Sequence, residues 1–429
     1  MQQKRVLGFY SRNLILLMGI VVLASGCAPN LMSLSEDSPA QVLSYPGAPP
    51  AQDGRPRFRQ MVCALAEQAS SVGGSRFDCT NLLWRMTDEK GLPSTPALLP
   101  PHDPRLWILI VAGAFAECFP EFGMPFEDAA ALLRKRGCRI DFIPVSGRSG
   151  ADHNAAQIAA AIERLPDDPA DRIVLVGHSK GTVDILHFLV NHPPSARRIR
   201  AVVSVAGAVN GSPLADDFAE TYLGFFSRMP LMYCPPGDRD VVNSLTRSSC
   251  MTWLATHRLP KHVQYFSLGG FARRQDIHPM MLLTYDLLAR VEPRNDGYVA
   301  YSDQMIPGAT LLGYANLDHW DIALPVRERL NFGGINSRAV ARELLFEAIV
   351  LTLAESMDSA LSSSAHPKVY FTGPSYRFTS LPAGSKLSQE TFVAGLKTRK
   401  TQDLEEWDML SPSLVQNRNR SDINFTMNP

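Results

Sequence analysis

One serine lies in a glycine-flanked pattern that is typical of nucleophilic serines. Residues 177–181 have the sequence GHSKG, between the apolar run IVLV and a segment with helical character. A serine at such a sharp strand-to-helix turn has a strained backbone, and glycines on both sides avoid steric clashes there. The turn would present the hydroxyl of Ser179 at the carboxyl end of a sheet, beside a helix N-terminus. The pattern therefore predicts a serine nucleophile.

A neutral hydroxyl is a weak nucleophile, so Ser179 needs a base. At such turns an acid and then a histidine follow the serine along the chain. His319, in the segment NLDHWD, lies after the last predicted strand and before the last long helix, where a histidine loop belongs. His278 is the alternative, because chain order alone does not exclude it.

The acid that orients the histidine should lie between Ser179 and His319. Asp296 lies in the segment RNDGYV, whose Asn and Gly mark a tight turn that holds a carboxylate at a fixed angle. Asp303 competes with it, whereas Asp318 is adjacent to His319 and its side chain is expected to point elsewhere. The residues alone leave open whether Asp296 is an acid of this kind or an ordinary turn aspartate.

The developing oxyanion needs backbone N–H donors. One would be the N–H of Lys180, the residue after the nucleophile, and the other should come from the loop after an earlier strand. That loop has the sequence AGAF at 112–115, so we predict Ala114 as the second donor. Gly113 would let the backbone approach a substrate closely.

Alternating strands and helices from residue 105 onward would position these residues. Continuous apolar runs such as LWILIV are typical of parallel strands buried on both faces. The alternation predicts an α/β fold with a mostly parallel central sheet flanked by helices. The predicted strands are 106–111, 139–145, 173–176, 201–206, 263–268 and 309–314, and the predicted helices are 61–70, 81–86, 126–135, 155–165, 182–190 and 338–354.

Residues 216–259 interrupt this alternation with many Phe, Met and Pro residues. The segment is predicted to be an insertion over the edge of the sheet. It is either a lid whose apolar face binds acyl chains or a packed cap with its apolar side inward.

These segments together resemble the α/β-hydrolase family, in particular its bacterial lipase and esterase branch. The resemblance covers about residues 105–350 and rests on VGHSKG, on GSPLAD, and on NDGYV followed by LDHWD. Similar lipases have their acid in an Asn-Asp-Gly turn and their histidine some twenty residues later. The resemblance implies a carboxylic ester hydrolase in which Ser179 forms an acyl-enzyme, His319 is the base and Asp296 orients it. We expect an ester or acyl-lipid substrate and no cofactor.

Three positions depart from the family pattern. Many members have His-Gly in the oxyanion loop, where this chain has Ala112 and Gly113, so a side-chain support is lost while the backbone donor remains. Lys180 replaces the commoner residues after the nucleophile. Some similar lipases bind calcium through an Asp two residues after the histidine, which matches Asp321. Pro325 stands where the next oxygen ligand is expected, so we predict no bound metal.

The first residues are typical of an export signal. Basic residues precede the run LILLMGIVVL, which is too short to span a bilayer as a helix. The following ASGC resembles the lipobox of bacterial lipoproteins, which implies a lipid on Cys27 as the membrane anchor. Ala28 favours an outer-membrane lipoprotein of the bacterial envelope that faces the periplasm or the surface. The alternative is a plain signal peptide.

Six cysteines remain besides Cys27, and an even number in an exported chain suggests disulfides. Buried free thiols are the alternative. The predicted pairs are neighbours in sequence: Cys63 with Cys79, Cys118 with Cys138, and Cys234 with Cys250.

The composition is that of a globular protein. The 429 residues include 42 basic and 42 acidic side chains and are 45% hydrophobic, which excludes a largely disordered chain and argues against nucleic-acid binding through a global basic field. Two alternatives to a hydrolase stay open: an acyltransferase with the same residues, and a non-catalytic envelope binding protein. The predicted organisation is a signal peptide (1–26), a flexible tether (27–58), an N-terminal cap segment (59–104), a hydrolase domain (105–355, with the lid-like insertion 216–259) and a partly ordered tail (356–429).

Overall fold

A parallel sheet forms the centre of the molecule. The computed structural model describes residues 39–73, 79–91, 99–218, 234–330, 335–362 and 378–380. The strands in these ranges are β1 (Val42–Ser44), β2 (Gln52–Asp53), β3 (Leu106–Val111), β4 (Arg139–Ile143), β5 (Arg172–His178), β6 (Ile199–Val205), β7 (Gln264–Gly270), β8 (Thr310–Ala315) and β9 (Phe378–Ser380).

Seven of these strands form one sheet in the order β2-β8-β7-β6-β5-β3-β4, and all neighbouring pairs are parallel. The two remaining strands, β1 and β9, pair in parallel with each other. The six strands predicted from the sequence are all present in the seven-stranded sheet. The predicted mostly parallel α/β architecture is therefore confirmed.

Helices cover both faces of the sheet. The α-helices in the described ranges are α1 (Arg55–Gly73), α2 (Glu127–Lys135), α3 (Ala151–Glu163), α4 (Lys180–Asn191), α5 (Pro193–Ala196), α6 (Pro213–Phe218), α7 (Arg247–Thr256), α8 (Leu282–Leu288), α9 (Val326–Arg329) and α10 (Ile335–Ser362). None of them combines the length and the apolar composition that a membrane-spanning helix needs.

The residues of β3 alternate between two hydrophobic cores because successive side chains of a strand point to opposite faces. Ile108 and Ile110 pack in the core that also contains buried residues of α1, α2 and α10. Leu109 and Val111 pack in the core that contains those of α3 and α4. This double burial explains why the predicted strand is apolar throughout.

The N-terminal part of the domain differs from the prediction. Residues 81–86 are not helical, because only Cys79–Asn81 forms a 3₁₀ turn and the next segment pairs with the end of β8 through Leu83 and Ala315. The tether predicted for 27–58 does not include residues 39–58. There β2 extends the sheet, and Tyr45 is buried with its hydroxyl donating to Asn210.

Some predictions fall on residues that the structure does not describe. These are the signal peptide and Cys27, residues 219–233 of the predicted insertion and most of the tail. The last long helix, predicted over 338–354, is present and extends to Ser362.

One of the three predicted disulfides is confirmed, that between Cys63 and Cys79. The other two pairings are wrong, because Cys118 pairs with Cys234. Cys118 follows the carboxyl end of β3, whereas Cys138 directly precedes β4, so the two lie at opposite edges of a parallel sheet. Cys138 and Cys250 are free thiols, and burial raises the pKa of Cys250 to about 12.

Candidate active site

Ser179 lies at the turn between β5 and α4, as the sequence predicts. Its φ is 56°, in the left-handed region, and its side chain is half-buried. A Cβ at Gly177 would lie 2.6 Å from the backbone of Thr182, and one at Gly181 would lie 2.4 Å from the carbonyl oxygen of Val111. No other residue fits those positions without moving the backbone, so the glycines allow the tight turn on which Ser179 lies.

His319 and Asp296 form a buried pair. The Nδ1–H of His319 donates to Oδ2 of Asp296 over 2.7 Å, and the histidine side chain is 5% exposed. The other carboxylate oxygen accepts the backbone N–H groups of Tyr298 and Val299 at 2.9 and 2.7 Å. The backbone N–H of His319 also donates to the carbonyl of Asp296. The tight turn predicted from NDG thus fixes the Asp296 carboxylate through Oδ1, and Oδ2 accepts from the imidazole.

The competing acids have other partners. Asp303 is buried and pairs with Arg247 at 3.1 Å, and burial raises the pKa of Asp303 to about 6. Asp318 accepts the backbone N–H groups of Trp320 and Asp321 and thereby shapes the histidine loop. Of the three candidate carboxylates, Asp296 is the one that contacts the imidazole of His319.

The alternative base, His278, belongs to the support of the histidine loop. Its backbone N–H donates to Oδ2 of Asp318 over 2.7 Å, and its ring packs edge-on against Trp320. Burial and the nearby Arg327 lower the pKa of His278 to about 4.

The loop predicted to supply the second oxyanion donor lies beside Ser179. A Cβ at Gly113 would lie 2.8 Å from Cβ and 3.2 Å from Oγ of Ser179, so only a glycine allows this approach. Ala114 is the next residue. On the other side, Lys180 is the first residue of α4, and its N–H belongs to the first helical turn, which has no intrahelical acceptor.

The side chain of Lys180 turns away into the protein. It is 1% exposed and its ammonium group pairs with Asp184 one helical turn later. Asp184 also accepts the amide of Asn154 at 2.8 Å, and burial raises its pKa while Lys180 opposes that shift. The side chain of Lys180 is therefore held inside the protein, and its role as a backbone N–H donor stays a prediction.

A carboxyl esterase from a metagenome is similar to this chain at 38% identity, with 75% of this chain and 97% of the esterase covered and a TM-score of 0.66. The chain belongs to the same α/β-hydrolase family. A lipase of Bacillus licheniformis is 22% identical over 52% of this chain and 86% of its own, with a TM-score of 0.42. A lipase-esterase related protein of Clostridium acetobutylicum is 13% identical, with 57% of this chain and 95% of that protein covered and a TM-score of 0.29. No protein-family model and no curated protein matches the chain.

Two side chains that support this α/β-hydrolase site were missed by the sequence analysis. Gln304 donates through Nε2 to Oδ2 of Asp296 at 3.2 Å and to the carbonyl of Gly270 at 2.8 Å, and its Oε1 accepts the N–H of Gly270. It ties the acid to the end of β7. His178 donates through Nε2 to the carbonyl oxygen of His319 at 2.9 Å. The histidine before the serine is visible in the motif, but nothing in the sequence around Gln304 marks it.

We expect Gln304→Met to lower kcat for ester hydrolysis about tenfold, because Asp296 loses a donor that fixes its angle. The unfolding free energy should fall by about 2 kcal/mol or more, since the buried N–H and carbonyl of Gly270 lose their partner. Gln275, which is exposed, gives the control Gln275→Met, expected to be neutral in both assays. Equal kcat for the two variants would contradict the positioning role of Gln304.

His178 in the hydrolase is expected to make the fold sensitive to acid. Burial, and next the charge of His319, lower the pKa of His178 to about 3. In an unfolded chain a histidine has a pKa near 6.5. Between pH 6.5 and 3 the unfolded state therefore holds more protons than the folded state, and the free energy of unfolding decreases as the pH is lowered. The free energy of unfolding in urea should be measured for the wild type and His178→Gln from pH 6 to pH 4. Its decrease per pH unit should be smaller in His178→Gln by about 1.4 kcal/mol. Parallel slopes would contradict this assignment.

The residues of the hydrolase do not fit the calcium site of some similar lipases. The carboxylate of Asp321 is buried and accepts from Arg327 and Arg338, each at 2.7 Å. Both guanidinium groups contact Oδ2 of Asp321, so two positive charges already lie beside this carboxylate, and residue 325, where the next oxygen ligand would be expected, is a proline. The arginines therefore hold the histidine loop through direct ion pairs.

Proposed function

We propose that the chain is a carboxylic ester hydrolase that acts through an acyl-enzyme on Ser179. The observation that carries the proposal is the buried contact of His319 with Asp296 at the edge of the sheet where Ser179 lies. Ser179 and His319 follow the carboxyl ends of β5 and β8, which lie at one edge of the parallel sheet, and the contact with His319 holds Asp296 there. Membership of a family with a carboxyl esterase supports the same reaction class.

The reaction would proceed in two steps. The Oγ of Ser179 attacks the ester carbonyl while Nε2 of His319 takes its proton. The N–H groups of Ala114 and Lys180 would bind the oxyanion, and Asp296 would stabilise the imidazolium. His319 then protonates the leaving alcohol. A water molecule, deprotonated by His319, next attacks the acyl-enzyme, and His319 returns this proton to Oγ of Ser179 as the acid is released.

An aromatic row next to His319 favours esters with an apolar group. Tyr298 packs edge-on against His319 at 5.3 Å, and Trp320 and Phe122 continue the row with centroid distances of 6.0 and 5.1 Å. Tyr298 and Phe122 are half-buried, so part of each ring stays accessible. Apolar groups gain about 25 cal/mol for each square ångström that they bury against such surfaces.

The test is reaction of the folded protein with an active-site-directed fluorophosphonate, followed by peptide mapping. We expect labelling of Ser179, whereas an unlabelled Ser179 would contradict the enzyme proposal and favour a binding protein. Hydrolysis of p-nitrophenyl esters of increasing chain length would then be measured with and without added alcohol. Release of free acid supports the hydrolase, and transfer to the alcohol as the main product supports an acyltransferase.

We also propose that Cys27 carries a lipid that anchors the protein to the bacterial envelope. The lipobox-like ASGC motif supports this, and the two disulfides agree with an oxidising compartment. Metabolic labelling with a radioactive fatty acid should mark the wild type and not Cys27→Ser. Recovery of both proteins in the membrane fraction without label would contradict the lipid anchor.

A further inference from the structure

The predicted oxyanion loop and two other segments contact one another in a closed ring. The first is the loop 113–118 that contains Ala114, the second is 146–150, between β4 and α3, and the third is 234–240. Each pair of segments has its own connection. The ring borders the site on the side opposite His319 because β3 and β4 form the far end of the sheet.

Backbone contacts join the first two segments. The N–H of Phe115 donates to the carbonyl of Gly147 over 2.8 Å, and the N–H of Gly147 donates to the Glu117 carboxylate over 3.0 Å. A Cβ at Gly147 would lie 2.9 Å from the backbone of Phe115, so the segments are in direct contact.

Hydrogen bonds at the start of α3 join the second and third segments. The N–H of Gly150 donates to the Asp238 carboxylate over 2.8 Å, and the N–H of Asp238 donates to Oγ of Ser149 over 3.1 Å. Gly237 has φ +55°, and a Cβ there would lie 2.3 Å from the same Oγ. Segment 234–240 is thereby fixed to a helix that packs on the sheet.

The Cys118–Cys234 disulfide is the third connection and the covalent one. Cys118 is one 3₁₀ turn after Phe115, since its N–H donates to the carbonyl of Phe115 over 2.9 Å. Phe115 has φ 61°, a conformation that costs a non-glycine residue free energy and persists only when its surroundings hold it. A crosslink that fixes Cys118 therefore also limits the movement of Phe115 and of the adjacent Ala114 N–H.

We propose, resting on the proposed function, that the Cys118–Cys234 disulfide is a positioning crosslink that holds the oxyanion loop in its productive conformation. The cysteines touch no substrate and act through Phe115 and Ala114. Oxyanion donors act on the transition state more than on the bound substrate, so loss of the crosslink lowers kcat and leaves KM nearly unchanged.

The test compares two double variants that each remove one disulfide. C118S/C234S should lose about tenfold in kcat with KM within about twofold of the wild type. C63S/C79S removes the crosslink between α1 and the turn Cys79–Asn81, neither of which belongs to the three segments described above, and should keep kcat. Thermal unfolding of both variants separates lost stability from lost positioning. Equal kcat for C118S/C234S and the wild type would overturn the inference while the proposed function stands.

A second measurement applies if C118S/C234S does not fold. The variant C63S/C79S lacks one of the two disulfides of the described residues. A reductant added to it therefore acts on the remaining one, Cys118–Cys234. Mild reduction of this folded variant should lower kcat about tenfold, and reoxidation should restore it. Unchanged kcat after reduction, or peptide mapping that links Cys118 to Cys138, would overturn the inference. A wild-type chain without esterase activity would overturn the proposed function and this inference together.

Discussion

Ser179→Ala is expected to abolish ester hydrolysis, with a loss in kcat of about 10⁵–10⁶-fold. The variant has no hydroxyl for the acyl-enzyme, while the oxyanion donors and the imidazole–carboxylate pair stay in place. Stability should change little, because Ser179 lies at a surface-facing turn that was half-buried before the change. The measurement is kcat with a p-nitrophenyl ester, together with loss of fluorophosphonate labelling.

Ser195→Ala is the matched control for this variant. Ser195 lies in α5, where its hydroxyl donates to Glu163 over 2.8 Å, and it is remote in sequence and contacts from the site. It should keep wild-type kcat. Residual activity of Ser179→Ala above about one hundredth of the wild type would mean that another group acts as nucleophile.

Asp296→Asn is expected to lower kcat about 10⁴-fold with the fold intact. An amide favours the wrong tautomer of His319 and cannot stabilise the imidazolium. Its backbone contacts to Tyr298 and Val299 need only the Oδ1 oxygen, which asparagine retains. Kinetics across pH should show the loss at every pH, because the missing charge is not restored by titration.

The control is Asp303→Asn, which changes the acid that competed with Asp296 on sequence grounds. Asp303 pairs with Arg247, so its loss should reduce stability and leave kcat within about threefold of the wild type. If Asp303→Asn caused the larger loss of kcat, the assignment of Asp296 as the orienting acid would be wrong.

Local chemistry made part of this site predictable from sequence. The turn at Ser179 depends on residues 177–181, which are neighbours along the chain. The motif alone is therefore enough to predict the tight turn. The parallel sheet was equally visible, because strands buried on both faces are apolar without interruption. The bounds of the strands differed from the predicted bounds by at most two residues, and those of β3 were as predicted.

Contacts between distant segments were not predictable in the same way. Cys118 and Cys234 are 116 residues apart, and pairing by sequence proximity missed them because the sheet places Cys118 and Cys138 at opposite edges. The order of residues along the chain did not separate Asp296 from Asp303, since both precede His319; the resemblance of the NDG turn to similar lipases favoured Asp296, and the direction of each carboxylate is visible only in the structure. Gln304 has no motif, and its role is visible only from its contacts to Asp296 and Gly270.

The addition of β2 to the sheet limits how far the enzyme could stand from a membrane. A tether over 27–58 would span at most about 110 Å, but residues 39–58 belong to the folded domain. With Cys27 lipidated, the eleven residues 28–38 span at most about 40 Å even when fully extended. That distance is close to the thickness of a single bilayer including its headgroups. The folded domain would then be held within about one bilayer thickness of the membrane surface.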